Sequence, residues 1–250
     1  MNDIKSKFMD RWERYFPGAE LPLVFYYTDD DSEVKPNPKP DDWRCVICDL
    51  ARARKGRAVA FDAESISCGG GKRYMGLADE PRPKIEYFLS CGIPGEMEGI
   101  RFKKTPELVG EMMKNQKLFA APGRFIVFKR WDITGDKDQP VAVIFFAEPD
   151  VLSGLFTLAN YDQASLFSVI SPSCSGCSAI VYYPYLESQT EHPRAILGMF
   201  DTSARPCVAS GILTFAVPYS RFVTMVHNMD ESNLTTDTWK KIRDRISRRR

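Results

Sequence analysis

Histidine is nearly absent: the chain has two, His192 and His227, among 250 residues. That leaves few places for an imidazole-based metal centre or a histidine-dependent nucleophile. His192 precedes Pro193 in a polar stretch and His227 falls between Met225 and Met229, so both read as ordinary surface or half-buried residues. Net charge is also missing. Lys and Arg total 34 against 33 for Asp and Glu, which leaves +1 and no global field to draw nucleic acid or an acidic membrane. Neither nucleic acid nor membrane is expected as a partner. No apolar run approaches the about 20 residues a membrane helix needs, and the longest, 141–147, suits one buried strand. The first dozen residues lack the apolar segment and small-residue cleavage site of a secretory signal. No break in composition divides the chain, so 1–250 is expected to form one domain.

Seven cysteines is an odd number, in a chain too long to need disulfide staples. The simplest compartment is a reducing cytoplasm with free or metal-bound thiols. Five of the seven fall in three compact groups: Cys45-Val-Ile-Cys48, Cys68 just ahead of Gly69, Gly70 and Gly71, and Cys174-Ser-Gly-Cys177. Thiolates bind zinc and iron–sulfur clusters, act as nucleophiles and exchange disulfides.

Periodicity places these groups on elements. Ile4, Phe8, Trp12 and Phe16 have near-helical spacing and predict a helix over 3–15. Strands are expected at 21–27, 57–61, 125–131, 141–147 and 195–200, and helices at 41–54, 84–91 and 106–117. The helix at 41–54 would carry Cys45 and Cys48 one turn apart on one face. A proline-rich loop spans 28–40. A polar turn over 132–140 suggests that the strands flanking it pair as a hairpin. Two runs, 141–149 and 212–218, are each an apolar strand ending in proline before an amphipathic helix, and read as β–α units; an internal duplication would give this pattern, but the residue identity is too low to assert it. The end, 235–250, reads as a helix capped by Thr236 or Asp237 with a basic tail of Arg243, Arg245, Arg248, Arg249 and Arg250. Strands interleaved with helices predict an α/β or α+β fold with a mixed central sheet flanked by helices.

Chemistry concentrates at the cysteines. Cys45, Cys48, Cys174 and Cys177 supply two C-x-x-C pairs, and Cys68 a fifth thiol, for zinc or an iron–sulfur cluster. One site requires a fold that joins pairs more than a hundred residues apart. Cys45 and Cys48 read equally well as small apolar residues on a core helix face. The serines and glycine around Cys174 and Cys177 suggest an exposed turn. Cys68 followed by three glycines offers a thiol beside unobstructed amides, with Lys72 and Arg73 to attract an anion or depress the thiol pKa. A positive φ is expected within that loop. Cys68 is then a candidate nucleophile, with Glu64 as base and Gly69, Gly70, Gly71, Lys72 and Arg73 holding a small-molecule or anionic ligand. The loop is not a P-loop, since Ile66 stands where the first glycine belongs. Asp201 and Arg205 follow a strand, where α/β proteins often place ligand-binding groups; a cap and a surface ion pair is the plainer reading. Tyr182, Tyr183 and Tyr185 read as core.

The segment Glu64-Ser-Ile-Ser-Cys-Gly-Gly-Gly-Lys-Arg-Tyr-Met-Gly-Leu77 resembles a motif of the uncharacterised ArCR family, domain of unknown function 169. So do Phe145-Phe-Ala-Glu-Pro-Asp-Val-Leu-Ser-Gly154 and Leu197-Gly-Met-Phe-Asp-Thr-Ser-Ala-Arg-Pro-Cys207. The resemblance covers about residues 20 to 230. It implies a cytoplasmic prokaryotic protein with one compact α/β domain, and supplies no activity. It also implies a departure: many relatives carry Cys-Pro-Gly-Gly where this chain has Cys68-Gly69-Gly70-Gly71. The residues by themselves point to metal or iron–sulfur binding with a redox role, to a cysteine-dependent enzyme or anion-binding protein built on Cys68, or to an accessory domain with structural cysteines.

Overall fold

The computed structural model describes residues 2–30 and 35–248. Four positions of the expected proline-rich loop, and Arg249 and Arg250 of the basic tail, lie outside the described residues. In chain order the elements are α1 (Asn2–Tyr15), β1 (Leu23–Thr28), α2 (Val46–Arg54), β2 (Val59–Phe61), α3 (Gly69–Tyr74), α4 (Ile85–Phe88), β3 (Gly92–Ile93), β4 (Met97–Glu98) and α5 (Pro106–Lys114). They continue with β5 (Phe125–Arg130), β6 (Ala142–Ala147), α6 (Pro149–Asn160), β7 (Val169–Ile170), α7 (Tyr183–Ser188), β8 (Ala195–Gly198), β9 (Leu213–Pro218), α8 (Tyr219–Asn228) and α9 (Asp237–Ser247).

Seven strands form one sheet in the order β2-β5-β1-β6-β9-β8-β7. Neighbours are antiparallel except β7 and β8, which run parallel, so the sheet is mixed as expected. Strand side chains alternate between two cores. Val24, Val143, Phe145, Phe215 and Val217 face a layer built from α1, α6, α8 and α9. Leu23, Phe25, Ala142, Ile144 and Ala216 face the opposite layer, which contains α2 and the segment leading into α7. All six residues of β6 are buried, which is why its sequence is a continuous apolar run rather than an alternating one.

Local chemistry sets most element ends. Thr105 caps α5 by accepting from the Leu108 amide at 3.4 Å, with Pro106 in the first turn. Pro149 opens α6, and Thr236 caps α9 by accepting from the Trp239 amide at 3.2 Å. Ile4, Phe8, Trp12 and Phe16 are all buried. The two β–α units do form, with β6 and β9 adjacent and antiparallel.

Three expectations fail. The strands at 125–131 and 141–147 are not a hairpin: β1 lies between β5 and β6 and pairs with both. The connection is too long to force adjacency, and β1, buried on both faces, takes a partner on each side. The helix expected at 41–54 begins only at Val46, because the Arg44 amide is held by the Ser67 hydroxyl at 2.9 Å. The helix expected at 84–91 shrinks to α4, since Lys84 has a left-handed φ of 59° and the chain turns into β3.

Candidate functional site: the cysteine face

All the cysteines except Cys91 belong to one core, the α2 side of the sheet. Each arrives at the start or end of a short helical piece. Cys45 immediately precedes α2, and Cys48 lies in its first turn. Cys68 caps α3, its sulfur accepting from the Gly71 amide at 3.4 Å. Ser175 starts the next helical piece by accepting from the Ser178 amide at 3.2 Å, and Cys177 lies within that turn. Cys207 ends a short 3-10 turn, Arg205–Cys207.

Close packing joins the pieces. A Cβ on Gly176 would come within 2.9 Å of Ala204 Cβ and 3.3 Å of Ile47 Cγ1, so only glycine lets the Cys174–Cys177 turn sit against α2. Asp201 locks the same contact. Its Oδ2 accepts from the Gly176 amide at 2.9 Å and its Oδ1 from the Ser203 amide and hydroxyl at 2.9 and 2.6 Å. A Cβ on Gly71 would lie 3.0 Å from Val46 Cγ2 and 3.3 Å from Ile66 Cγ2, which brings the Cys68 cap against α2 as well. The sequence asked for a fold that joins distant C-x-x-C pairs, and this fold brings them onto one face.

The thiols differ in state. Cys48 and Cys207 form a disulfide, with an S–S distance of 1.99 Å and 159 residues of separation. Cys48 is therefore not a free ligand, contrary to expectation, and Cys207 was missed as its partner; the odd count gave no hint of pairing. Cys45, Cys68, Cys174 and Cys177 are free. Burial pushes the Cys177 thiol far above its ordinary range, and the nearby Cys68 and Cys45 add to the rise. Burial also raises Cys45, with the amides of Ile47 and Cys48 acting against it and Cys68 adding to it. Cys174 is pushed up to about 12, first by burial and then by Asp201. The expected exposed turn at Cys174 and Cys177 is thus mostly interior. Among the described residues, no group of three or more His, Cys, Asp and Glu side chains is arranged to hold a metal ion.

The glycine loop also differs from expectation. Gly69, Gly70 and Gly71 form the first turn of α3, and none of them has a positive φ. Cys68 nucleates that turn as its cap, so the glycines need no left-handed conformation. Glu64 is exposed and lines an open hollow with Asp29, Asp62 and Asp79, apart from Cys68. Arg73 is buried and donates to the Asp79 carbonyl. Arg205 clamps its own loop through the carbonyls of Ile212, Ala209 and Ser210, which is a structural role rather than an anion site. Tyr182 is core, with its hydroxyl donating to the Lys117 carbonyl at 2.8 Å. The histidines are exposed and lie apart from the thiols: His192 beside Arg221 and Asp162, His227 on α8.

The class defined by this architecture is a mixed α/β single-domain protein that concentrates its cysteines on one side of the sheet. The chain belongs to the uncharacterised ArCR family, domain of unknown function 169, whose model matches residues 19–228. No curated protein and no solved structure matches it. No helix among the described residues is long and apolar enough to cross a membrane.

Proposed function

We propose that this protein is a thiol-based redox protein whose working group is the Cys48–Cys207 disulfide, with Cys45 as the adjoining thiol. One observation carries the reading: a disulfide whose Cys48 belongs to a C-x-x-C pair, set on a face that also holds four free thiols. A structural staple needs two cysteines, not six. Cys45 and Cys48 sit before and within the first turn of α2, where the Ile47 and Cys48 amides act against the burial that raises the Cys45 thiol without overcoming it. A dithiol reductant would attack the disulfide, leave as its own disulfide, and return Cys48 and Cys207 as two thiols, with two electrons and two protons transferred. Alternatively Cys45 as thiolate attacks Cys48 sulfur, forms Cys45–Cys48 and releases the Cys207 thiolate, with no net change in oxidation.

A second reading is favoured by Cys68, which makes ionisation of both Cys45 and Cys177 harder, and by Cys45, which adds to the rise at Cys177. A soft cation would reverse that penalty and displace the thiol protons. With Cys48 and Cys207 reduced, these sulfurs would be the candidates to hold zinc or an iron–sulfur cluster.

Thiol titration of protein purified without oxygen or reductant, and denatured before assay, separates the two. The redox reading expects five free thiols, seven after reduction, no bound metal and no visible absorption. Seven thiols without prior reduction overturn it. Seven thiols together with stoichiometric zinc or iron establish the metal reading instead.

A further inference from the structure

A cleft of about 630 Å³ opens away from Cys68, beyond the carboxyl ends of β7 and β8, the one parallel pair in the sheet. Residues 171–175 leave β7 along one wall, and Gly198 to Thr202 leave β8 along another. A third wall is the segment Ile100, Arg101, Phe102 and Lys103, and Tyr74 with Gln116 closes the inner end. Parallel strands in α/β sheets commonly bind ligands beyond their carboxyl ends, where the loops diverge.

Three observations mark it as a built site. The first is backbone strain. Among the described residues only Lys84, Arg101 and Met199 are non-glycine residues with a left-handed backbone, and two of them, Arg101 (φ 57°) and Met199 (φ 72°), line this cleft. Glycine would make either turn without a Cβ clash, so keeping an arginine and a buried methionine there points to their side chains. The second is charge. No ion-pair partner appears for Arg101 or Lys103 among the described residues, while the carboxylate of Asp201 is taken up by Gly176 and Ser203. The cleft therefore presents two uncommitted cations. The third is an orphaned acceptor. Gln116 Nε2 donates to the Tyr74 hydroxyl at 3.3 Å, but Gln116 Oε1 is shielded from solvent with no donor.

Apolar side chains stand between these groups, beside the serines of 171–175. Phe102 and Phe200 are 41% and 56% exposed, and Met112 and Met199 lie alongside. Exposed aromatic rings at a cleft suit a flat apolar partner. We infer that this cleft binds a planar organic anion: its carboxylate or phosphate held by Arg101 and Lys103, its ring system against Phe102, Phe200 and the methionines, and a hydrogen-bond donor directed to Gln116. The inference is independent of the redox reading: Cys174 lies in the cleft wall, but the groups assigned to the ligand are not thiols.

The test uses the full chain and the fluorescent aromatic sulfonate 8-anilinonaphthalene-1-sulfonate, competed by 1-naphthoate, 1-naphthyl phosphate and the uncharged 1-naphthalenemethanol. The probe should bind at one site and be displaced by an anionic competitor at least about tenfold more tightly than by the alcohol. Preference for the phosphate or for the carboxylate names the source of the charge. Arg101→Gln with Lys103→Gln should weaken probe binding about tenfold or more. The same charge removed from α9, by Lys240→Gln with Lys241→Gln, should change it less than about twofold, with both variants melting as the parent does. Equal displacement by the alcohol, or equal loss in the two double variants, overturns the inference.

Discussion

The two faces of the sheet are built from the same strands but do different work. The α1 face is a seal of interlocking rings. Phe8 packs on Trp131, Phe222 and Phe145 with centroids 5.1 to 6.2 Å apart, and Trp12 stacks on Phe16 at 4.5 Å. That core contains no cysteine. The α2 face is assembled from short helical starts held close by glycines at 71, 176 and 198, and it carries every cysteine but one. Aromatic rings bury much area per residue, so one face can supply most of the cohesion. The other face is then free to hold thiols and a disulfide.

The sharpest way to break this division is to damage the ring seal and watch the thiols. Phe8→Ala should cost about 3–5 kcal/mol of unfolding free energy, the expected range for a fully buried aromatic. Urea denaturation measures that loss. In dilute buffer the rates at which the free cysteines react with an alkylating reagent should keep their parent order. If Cys177 becomes reactive while the protein remains folded, the two faces are not independent.

Next in size is the disulfide. Closing 159 residues of chain restricts the unfolded state, and reduction should cost about 2–4 kcal/mol. Calorimetry of the parent with and without dithiothreitol reads the effect. Cys48→Ala with Cys207→Ala should melt near the reduced parent and ignore the reductant. If that variant still responds to dithiothreitol, a different pair is bonded.

The same contrast explains what the sequence let one read. The helix through Phe8 and Trp12, the cap at Thr236, and the prolines opening helices were legible because each is decided within a few residues. Periodicity and capping are local, and they recovered most elements and the mixed sheet. The placement of β1 between β5 and β6 was not legible, because a polar connection says that two strands reverse direction and not which strand lies beside which. At the site, the three cysteine groups were legible as residues. Their convergence depends on Gly71 and Gly176, whose role appears only when the opposing surfaces of Val46, Ile47 and Ala204 are in place. The Cys68 glycines were misjudged for a related reason: three glycines announce freedom, but a sulfur cap turned that freedom into an ordinary helical start. The cleft at Arg101 and Met199 left no motif, since its walls come from segments scattered between Tyr74 and Thr202.

A smaller test sets the two faces at opposite ends of the pH scale. Burial holds Cys174 up at about 12 and raises Cys45 and Cys177, whereas the unfolded chain ionises its thiols near 9. A raised pKa means that the folded state keeps protons the unfolded state has lost. The stabilisation is complete below pH 9 and drains away as the pH climbs toward 12, by up to about 1.4 kcal/mol per pH unit for each such thiol. Cys174→Ser with Cys177→Ser should flatten the fall in Tm over that window. An unchanged slope would mean that the buried tyrosines, not the thiols, govern the alkaline limb.

The smallest expected effect lies at the acid end and belongs to the ring-sealed face. Arg221, buried on α8, donates to Asp162 Oδ2 at 2.9 Å and to the Ala159 carbonyl at 2.8 Å, tying α8 to the end of α6. The guanidinium holds the Asp162 carboxyl well below the usual carboxylate range. A depressed pKa has the opposite sign to that of the thiols: its stabilisation is present above the ordinary carboxylate range and is lost as the pH falls below it. The Asp162 side chain keeps 29% of its exposure, so solvent screening keeps its worth small, and Asp162→Asn should cost no more than about 1 kcal/mol at neutral pH. The amide still accepts from Arg221 but no longer titrates. The parent should therefore lose Tm below about pH 4 faster than the variant, while the two run parallel from pH 9 upward. If Asp162→Asn alters the alkaline limb instead, the ion pair reaches the cysteine face and the separation of the two halves fails.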